Sequence, residues 1–426
     1  MLAVPHLETA LTGPLLHLEK KFLSNQVAIE SWFRQQWQQT PPLFYGSVDL
    51  RNAGFKLAPV DTNLFPAGFN NLNPEMMALC VQAVQSLMAE CCSSAKRLLL
   101  IPESHTRNLF YFENIATLIE ILKRAGFDVR VGSLNPDIKA ITSIELPSSR
   151  TIQLEPLIRE NNRVGVDNYF PCCIVLNNDL SSGVPDILKN TKQSFMPAIQ
   201  LGWSTRLKSE HFRFYEKVAE EFSKMIDCDP WLINPYFDHC GDVDFSNEKS
   251  MQCLVEYAQN LFEKIRKKYA EYKIDQSPFL VVKADQGTYG MAVMMIQDPV
   301  ELLQLNRKQR TKMMASKGGH AVTKAIIQEG VYTFETVGDD RAVAEPVVYH
   351  IGRYVVGGFY RIHKNRGINE NLNAPGMNFQ PLAFAKNCHV PPYPQTELKE
   401  PVNRFYAYGV VGRLAMVAAA REVQVI

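Results

Sequence analysis

Apolar positions change period several times along this chain, and the changes mark out its elements. Between residues 15 and 37 they recur at helical spacing, which predicts one amphipathic helix. Residues 45–74 lose that period and are dense in Asp, Asn, Gly and Pro, so mostly turns are expected there. This stretch also holds Asp49, Arg51, Lys56, Asp61, Asn63, Asn70 and Asn71 among Phe and Pro. That load is unusual for a connecting segment and points to binding. A helix is expected over 74–91. Residues 97–101 then form a short apolar run ending at Pro102, and Leu109, Phe112, Ala116, Ile119 and Leu122 follow at helical spacing up to Gly126. A second strand starts at Asp128. Strand, helix, strand in that order predicts a parallel sheet. Residues 172–176 add a buried strand that runs into Asn177, Asn178 and Asp179. Ligands of open α/β sheets sit beyond the carboxyl ends of strands, and 102–108 and 177–179 are two such polar ends.

From 209 to 272 the pattern is helical. Phe212, Tyr215, Ala219, Phe222 and Ile226 mark one apolar face, and Leu254, Tyr257, Leu261, Ile265 and Tyr269 another. The basic run Lys264, Arg266, Lys267 and Lys268 reads as a solvated face. No repeat or low-complexity tract divides the chain, and the clearest break lies near 276–278.

Beyond that break the period becomes two. Residues 279–283 alternate, placing Lys283 on the face of Val281 and Phe279, and ADQGTYGMAVMMI follows at once. A loop with Gly287 and Gly290 lets backbone N–H groups approach phosphate oxygens, with Lys283 adding a fixed charge. The same residues also fit a plain hairpin with an exposed lysine. Residues 325–329 form a strand ending in Gln328 and Glu329, a pair able to read an adenine edge. Residues 343–349 and 354–356 pair around a turn, with Glu345 beside aliphatic neighbours on its own face. A carboxylate so placed is costly to bury unless paired or bound to a cation. Last, in NENLNAPG, an extended chain points Asn369, Asn371 and Asn373 one way. A row of carboxamide oxygens near Glu345 suits Mg²⁺, although alone the octapeptide reads as an Asn-rich turn.

Composition acts mainly by exclusion. Apolar residues make up 46% and charged residues 21%, ordinary for a globular protein. Forty-five Lys plus Arg against forty-four Asp plus Glu leave a net charge of +1, which argues against a nucleic-acid or anionic-membrane coat. The nine Cys are odd in number, without C-x-x-C spacing, and read as reduced thiols of a cytoplasmic chain. The nine His show no H-x-x-x-H pair, so no zinc site is expected. No eighteen-residue apolar span occurs, and the N-terminus lacks the basic region of a secretory leader.

The order strand–Lys–Gly loop, strand–Gln-Glu, acidic strand, Arg, Asn motif resembles an ATP-grasp domain. The phrases PVDTNLFPAGFNNL, PESHTRN, LGWSTRLKSEHF, VVKADQGTYGM, AEPVVYHIGRYVVGGFYRI and ENLNAPG together resemble glutamate–cysteine ligase of the smaller proteobacterial type. The resemblance spans nearly the whole chain. It implies an α/β (α+β) protein, with an N-terminal parallel-sheet domain followed by an ATP-grasp-like two-part nucleotide-binding domain. The corresponding divisions are an N-terminal α/β domain with a substrate segment over 1–205, a helical connection over 206–276, and the ATP-grasp-like domain over 277–426.

By the same resemblance, Lys283 with Gly287, Thr288 and Gly290 holds the ATP phosphates, and Gln328 and Glu329 face adenine. Glu345, Asn371 and Asn373 are implied for Mg²⁺, and Arg361 lies near an acyl phosphate, making Arg361 and Lys283 the catalytic pair. Arg51, Asp61, Asn63 and Asn70 are implied for the amino-acid substrate. Ala292 stands where such loops often carry another glycine, and the Glu-x-Asn metal signature does not occur in that form. The implied reaction joins L-glutamate, through its γ-carboxylate, to the amine of L-cysteine with ATP, the first step of glutathione biosynthesis. Partners are then small molecules, with no nucleic acid and no membrane, and a homo-oligomer is left open. Two other readings stay open: another ATP-grasp carboxylate–amine ligase of the glutathione-synthetase kind, and a non-catalytic nucleotide- or nucleic-acid-binding protein. The last draws on the basic stretch 307–320, which is expected to be a mobile or solvated loop.

Overall fold

The computed structural model describes residues 7–8, 13–104, 108–241, 243–245, 247–287, 292–314, 322–382 and 405–425. The expected parallel sheet is present. Its strand order is Ser194–Met196, Cys173–Asn177, Arg97–Pro102, Asp128–Ser133, Thr151–Pro156 and Thr142–Glu145, parallel throughout except for the last. The helix Leu109–Arg124 forms the crossover. One polar strand end has a structural use. Asn177 donates to the carbonyl of Pro66, while its Oδ1 accepts from Asn114, whose own Oδ1 accepts from the backbone of Gly68 and Phe69. The carboxyl edge of the parallel sheet thereby anchors the loop that follows residue 63. Of the polar run 102–108, residues 105–107 lie outside the described residues.

Residues 45–63 are not turns. They form a hairpin of Tyr45–Asn52 and Leu57–Asn63 that joins an antiparallel sheet through Ala342–Ile351. Both faces of Tyr45–Asn52 are covered, so its Asp and Arg sit in buried ion pairs and the usual polar–apolar alternation is erased. Asn52 Oδ1 accepts from Gly54 N at 2.9 Å, and Gly54 supplies the positive φ of the tight turn. The sheet has seven strands, with Ala342–Ile351 pairing also with Glu335–Val337 and Tyr354–His363, and Leu7–Glu8 and Asn378–Pro381 at its margins. A third, antiparallel sheet runs Phe237–Cys240, Ala325–Glu329, Leu280–Ala284, Val293–Ile296.

Three helical expectations need correction. The first helix is two, Gly13–Ser24 and Gln26–Gln39, because Asn25 turns its amide onto the Lys21 carbonyl at 2.9 Å. The two helices within 209–272 are present as Lys208–Met225 and Glu248–Glu271, but the stretch is not helical throughout: a 3₁₀ turn at Pro230–Leu232 and the strand Phe237–Cys240 lie between them. The basic stretch from 307 begins as a helix, Arg307–Met314, entered through reciprocal bonds between Asn306 and Gln309; residues 315–321 lie outside the described residues.

The helix Phe405–Val423 is apolar around most of its circumference and is accordingly buried. Near its end Glu422 accepts two hydrogen bonds from Arg206 (2.8 and 3.1 Å) and pairs with His211 at 3.2 Å, while Arg206 and His211 also reach Thr62. This buried network joins the last helix, the hairpin and the start of Lys208–Met225. Its middle packs so closely that a Cβ on Gly412 would stand 2.8 Å from the His350 ring. Both His350 nitrogens are buried without a hydrogen-bond partner among the described residues. Burial, then Arg413, pushes its pKa down to about 3. The unfolded chain takes up this proton first, near 6.5, so stability present above pH 6.5 is lost as pH falls toward 3, by about 1.4 kcal/mol per pH unit. His350→Leu should flatten the acid side of a plot of unfolding free energy against pH by that slope. An unchanged slope would show that His350 does not titrate on unfolding.

Candidate active site

The three-stranded core of the small antiparallel sheet and the large antiparallel sheet face each other across a cleft of about 810 Å³, open to solvent. One wall carries Val281, Lys283, Gly287, Met295, Gln328 and Glu329; the other carries Asp49, Arg51, Asp61, Glu345, Arg361 and the loop 369–373, with Lys208 at the end. Local rules place them. Strand alternation turns Val281 and Lys283 to the cleft while Leu280 and Val282 are buried behind. Glu345 and Arg361 are register partners on adjacent strands, and Asp49 and Asp61 are partners across the hairpin. Lys208 opens its helix, whose first turn is capped from outside: Asp285 accepts from Ser209 N at 2.7 Å and from Ser209 Oγ at 2.6 Å. Lys208 thus sits two residues' reach from the strand that carries Lys283.

Two carboxylates directly opposite each other repel, so each needs its own cation. Asp49 accepts from Arg361 at 2.8 Å, and Asp61 from Lys208 at 3.2 Å. Arg361 also reaches Glu345 at 2.5 Å, and Arg51 holds the other Glu345 oxygen at 3.1 Å. Burial would raise the Glu345 carboxyl, but Arg51 and Arg361 overcome it and hold it below the ordinary value. For Asp61, Lys208 and Lys283 likewise win over burial. Asp49 goes the other way: burial, aided by the Glu345 and Asp61 charges, raises it despite Arg361. Lys283 donates to Val60 O and to Gln328 Oε1, both at 2.8 Å, and burial beside Lys208 and Arg51 brings its pKa down to about 8. Two donors on the walls, Arg361 Nε and Gln328 Nε2, are buried without a partner among the described residues. Buried donors are nearly always satisfied, so these two are exceptions on residues that line the cleft.

Of the residues read from sequence, Lys283, Gly287, Gln328, Glu329, Arg51, Asp61, Glu345, Arg361, Asn371 and Asn373 line this one cleft. Glu329 is already engaged: its carboxylate pairs with Lys56 at 2.8 Å and accepts from Trp231 Nε1 and Tyr236 N. The Arg51 guanidinium is engaged as well, with Glu345, Val331 O and Glu370 O. Asn63 and Asn70 are not among the cleft residues. Asn63 Oδ1 accepts from Phe65 N, and Asn70 lines a separate hollow near Arg124. Thr288 and Gly290 lie outside the described residues. Ala292 holds φ +50°, the left-handed conformation that a glycine adopts more readily. Lys208 belongs to the site although no role was read for it, and Asp49, read only as one of a polar segment that points to binding, lines the cleft as well. Lys208 stands inside LGWSTRLKSEHF, where its pairing with Asp61 has no trace in spacing.

The profile of the glutamate-cysteine ligase family (GshA) matches residues 19–423. A crystal structure from Methylobacillus flagellatus KT, of a protein described provisionally as a gamma-glutamylcysteine synthetase, is 55% identical. It superposes with a TM-score of 0.91, over 99% of each chain. D-alanyl-alanine synthetase A of Vibrio cholerae O1 biovar eltor aligns at 10% identity and a TM-score of 0.34, over 75% of this chain and 81% of that one. A glutathione synthetase-like effector of Globodera pallida aligns at 9% and 0.36, over 85% and 77%. Likenesses that low bear no weight for either fold or function. No curated protein matches the chain. The family profile reaches from the first helices to the last, and takes in every residue that lines the cleft: the chain belongs to the glutamate-cysteine ligase family.

Proposed function

We propose that this cleft joins the γ-carboxylate of L-glutamate to the amine of L-cysteine, using ATP in a clamp of the ATP-grasp kind. The observation that carries the residue roles is the set of buried cationic and amide donors, Lys283, Arg361 Nε and Gln328 Nε2, on walls that face one another. A carboxylate is a poor electrophile because oxide is too basic to leave. Transfer of the γ-phosphoryl group from ATP to a γ-carboxylate oxygen releases ADP and forms a mixed anhydride. The cysteine amine then adds to the carbonyl carbon, the C–O bond to phosphate breaks, and the amine proton goes to solvent. The chain's part is positioning and charge neutralisation, with no nucleophilic side chain needed.

Lys283 and the loop at Gly287, continuing through Thr288 and Gly290, bind the ATP phosphates in this reading, and the strand end Gln328–Glu329 is the adenine wall. Arg361 faces the phosphoryl oxygens in transit. Asp61 and Asp49 supply carboxylates for a substrate ammonium, and Arg51 holds Glu345 and the 369–373 loop in place. For Mg²⁺ the donors are all hard oxygens: Asp49, Glu345, and the carboxamides of Asn371 and Asn373. Both Glu345 oxygens already accept from guanidinium groups, whereas Asp49 accepts from Arg361 through Oδ2. The set fits the ion, which when bound neutralises phosphate charge. Among the described residues no helix is long and apolar enough to cross a membrane. We place the enzyme in the cytoplasm, a reading supported by its odd number of cysteines.

Phosphate release from ATP, with one amino acid varied at a time, tests the reaction. Release that requires L-glutamate and rises with L-cysteine supports it; release driven by a different amine would replace the substrates. Lys283→Ala should weaken ATP binding about tenfold to a hundredfold, the scale of one charge-assisted hydrogen bond to phosphate. Because the charged ammonium is the binding form, ATP affinity of the parent enzyme should fall as pH rises through about 8. An affinity that is flat across that range, in a calorimetric titration, would remove Lys283 from the phosphate site.

A further inference from the structure

Away from the cleft, the amino ends of the two central parallel strands carry an accumulation of sulfur. Cys91 and Cys92 end the helix Met77–Cys91 and its cap, and Cys172 and Cys173 open the strand Cys173–Asn177, which pairs with Arg97–Pro102. The Cys92 and Cys172 sulfurs are 3.7 Å apart, those of Cys172 and Cys173 are 3.8 Å apart, and all three lie within 4.8 Å of one another. Cys91 Sγ, next in sequence to the trio, is 3.8 Å from Met88 Sδ and 4.0 Å from Met196 Sδ. Two pairs of neighbouring cysteines, eighty residues apart in sequence, therefore meet across one turn of fold. No zinc spacing announces this, because the sheet register and not local sequence brings them together.

We propose that Cys92, Cys172 and Cys173 form a binding site for a thiophilic divalent d¹⁰ cation of the zinc class. The first argument is metric. Metal–sulfur bonds of about 2.3 Å at tetrahedral angles set neighbouring sulfurs ~3.8 Å apart, which is the spacing two of these pairs already have. The second is access: Cys172 is exposed, Cys92 half-buried and Cys173 buried, so an ion enters from solvent and closes on a fixed inner ligand. The third is charge. Three thiolates around a divalent ion leave one net negative charge, against two around a monovalent ion. Thiols bind such an ion as thiolates, so each bound ion displaces thiol protons to solvent. The fourth position is left to water or to an external thiol. None of these residues lines the cleft, so the site stands apart from the ligase reading.

The test uses the full chain, reduced and freed of metal, titrated with Cd²⁺ while the thiolate-to-metal charge-transfer absorption is followed, with Zn²⁺ as competitor. A band that saturates at one equivalent, is displaced by Zn²⁺, and weakens at least tenfold in affinity in Cys172→Ser and Cys92→Ser supports the site. Cys172→Ser changes an exposed side chain, so its fold is expected to hold and circular dichroism checks it. Cys253→Ser, which alters the separate Cys240–Cys253 contact of 3.7 Å, should leave the band unchanged. No band at equimolar ion, or a band that survives both trio substitutions, overturns the proposal. So does mild oxidation that removes two thiols as a disulfide in a protein that binds no ion.

Discussion

Replacing Arg361 by alanine lowers kcat by ~10²–10³-fold, the scale on which one preorganised donor to a developing charge counts. The structure gives this residue two jobs. Its Nη1 bridges Asp49 at 2.8 Å and Glu345 at 2.5 Å, while its buried Nε has no partner among the described residues and lines the cleft. The first job concerns stability as well as chemistry. Alanine would leave two buried carboxylates with only Arg51 to compensate them, a loss of about 3–5 kcal/mol on the scale of a broken buried pair. The informative comparison is therefore Arg361→Lys, which keeps a cation beside Asp49 and Glu345 but cannot offer a planar fork of donors. It should fold with near-native stability, bind ATP, and still lose most of kcat. Steady-state kinetics beside a denaturant titration separate the two jobs. A lysine variant with native kcat would reduce Arg361 to a counter-ion of Asp49 and Glu345.

The elements that were legible in sequence are those whose signal is local. The strand over 279–283, the strand 325–329 and the β-α-β unit from Arg97 appear where the alternation and helical spacing put them. The hairpin Tyr45–Asn52 to Leu57–Asn63 was not legible. A strand covered on both faces has no alternation, and its Asp49, Arg51 and Lys56 looked like turn residues because their partners, Arg361, Glu345 and Glu329, lie some three hundred residues away. The same distance hid the division of labour at the site. Glu345 reads from sequence as a metal ligand for lack of a visible counter-ion, yet Arg51 and Arg361 already hold it. Lys208 was invisible for a related reason: it reaches the cleft because Asp285 and the Arg206–Glu422 network fix the start of its helix. Residue identity announced the chemistry, but tertiary pairing decides which charges remain free to act on a ligand.

Lys56 and Glu329 show how far such pairing supports the site. Both side chains are 1% exposed, the ammonium and carboxylate are 2.8 Å apart, and Lys56 also lies 4.2 Å over the Trp231 ring. Burial pulls the Lys56 pKa down to about 8, with Glu329 opposing it, so the lysine's charge depends on its partner. Lys56→Met should destabilise the protein by about 3–5 kcal/mol, because it leaves the Glu329 carboxylate buried without a cation. Trp231 Nε1 and Tyr236 N still donate to that carboxylate and moderate the loss without cancelling the charge. Removing both charges is a different matter. In Lys56→Met with Glu329→Gln the amide oxygen keeps the Trp231 and Tyr236 donors and no ion remains, so most of the loss should return. Equilibrium unfolding of the parent, both single variants and the double variant reads the coupling directly. Since Glu329 ends the strand that lines the cleft beside Gln328, the single lysine variant should also raise KM for ATP, and the double variant should restore it. If Lys56→Met unfolds at the parent's denaturant midpoint, the pair does not hold this wall, and the position of Gln328 must be set by its strand pairing with Val281 and Phe237.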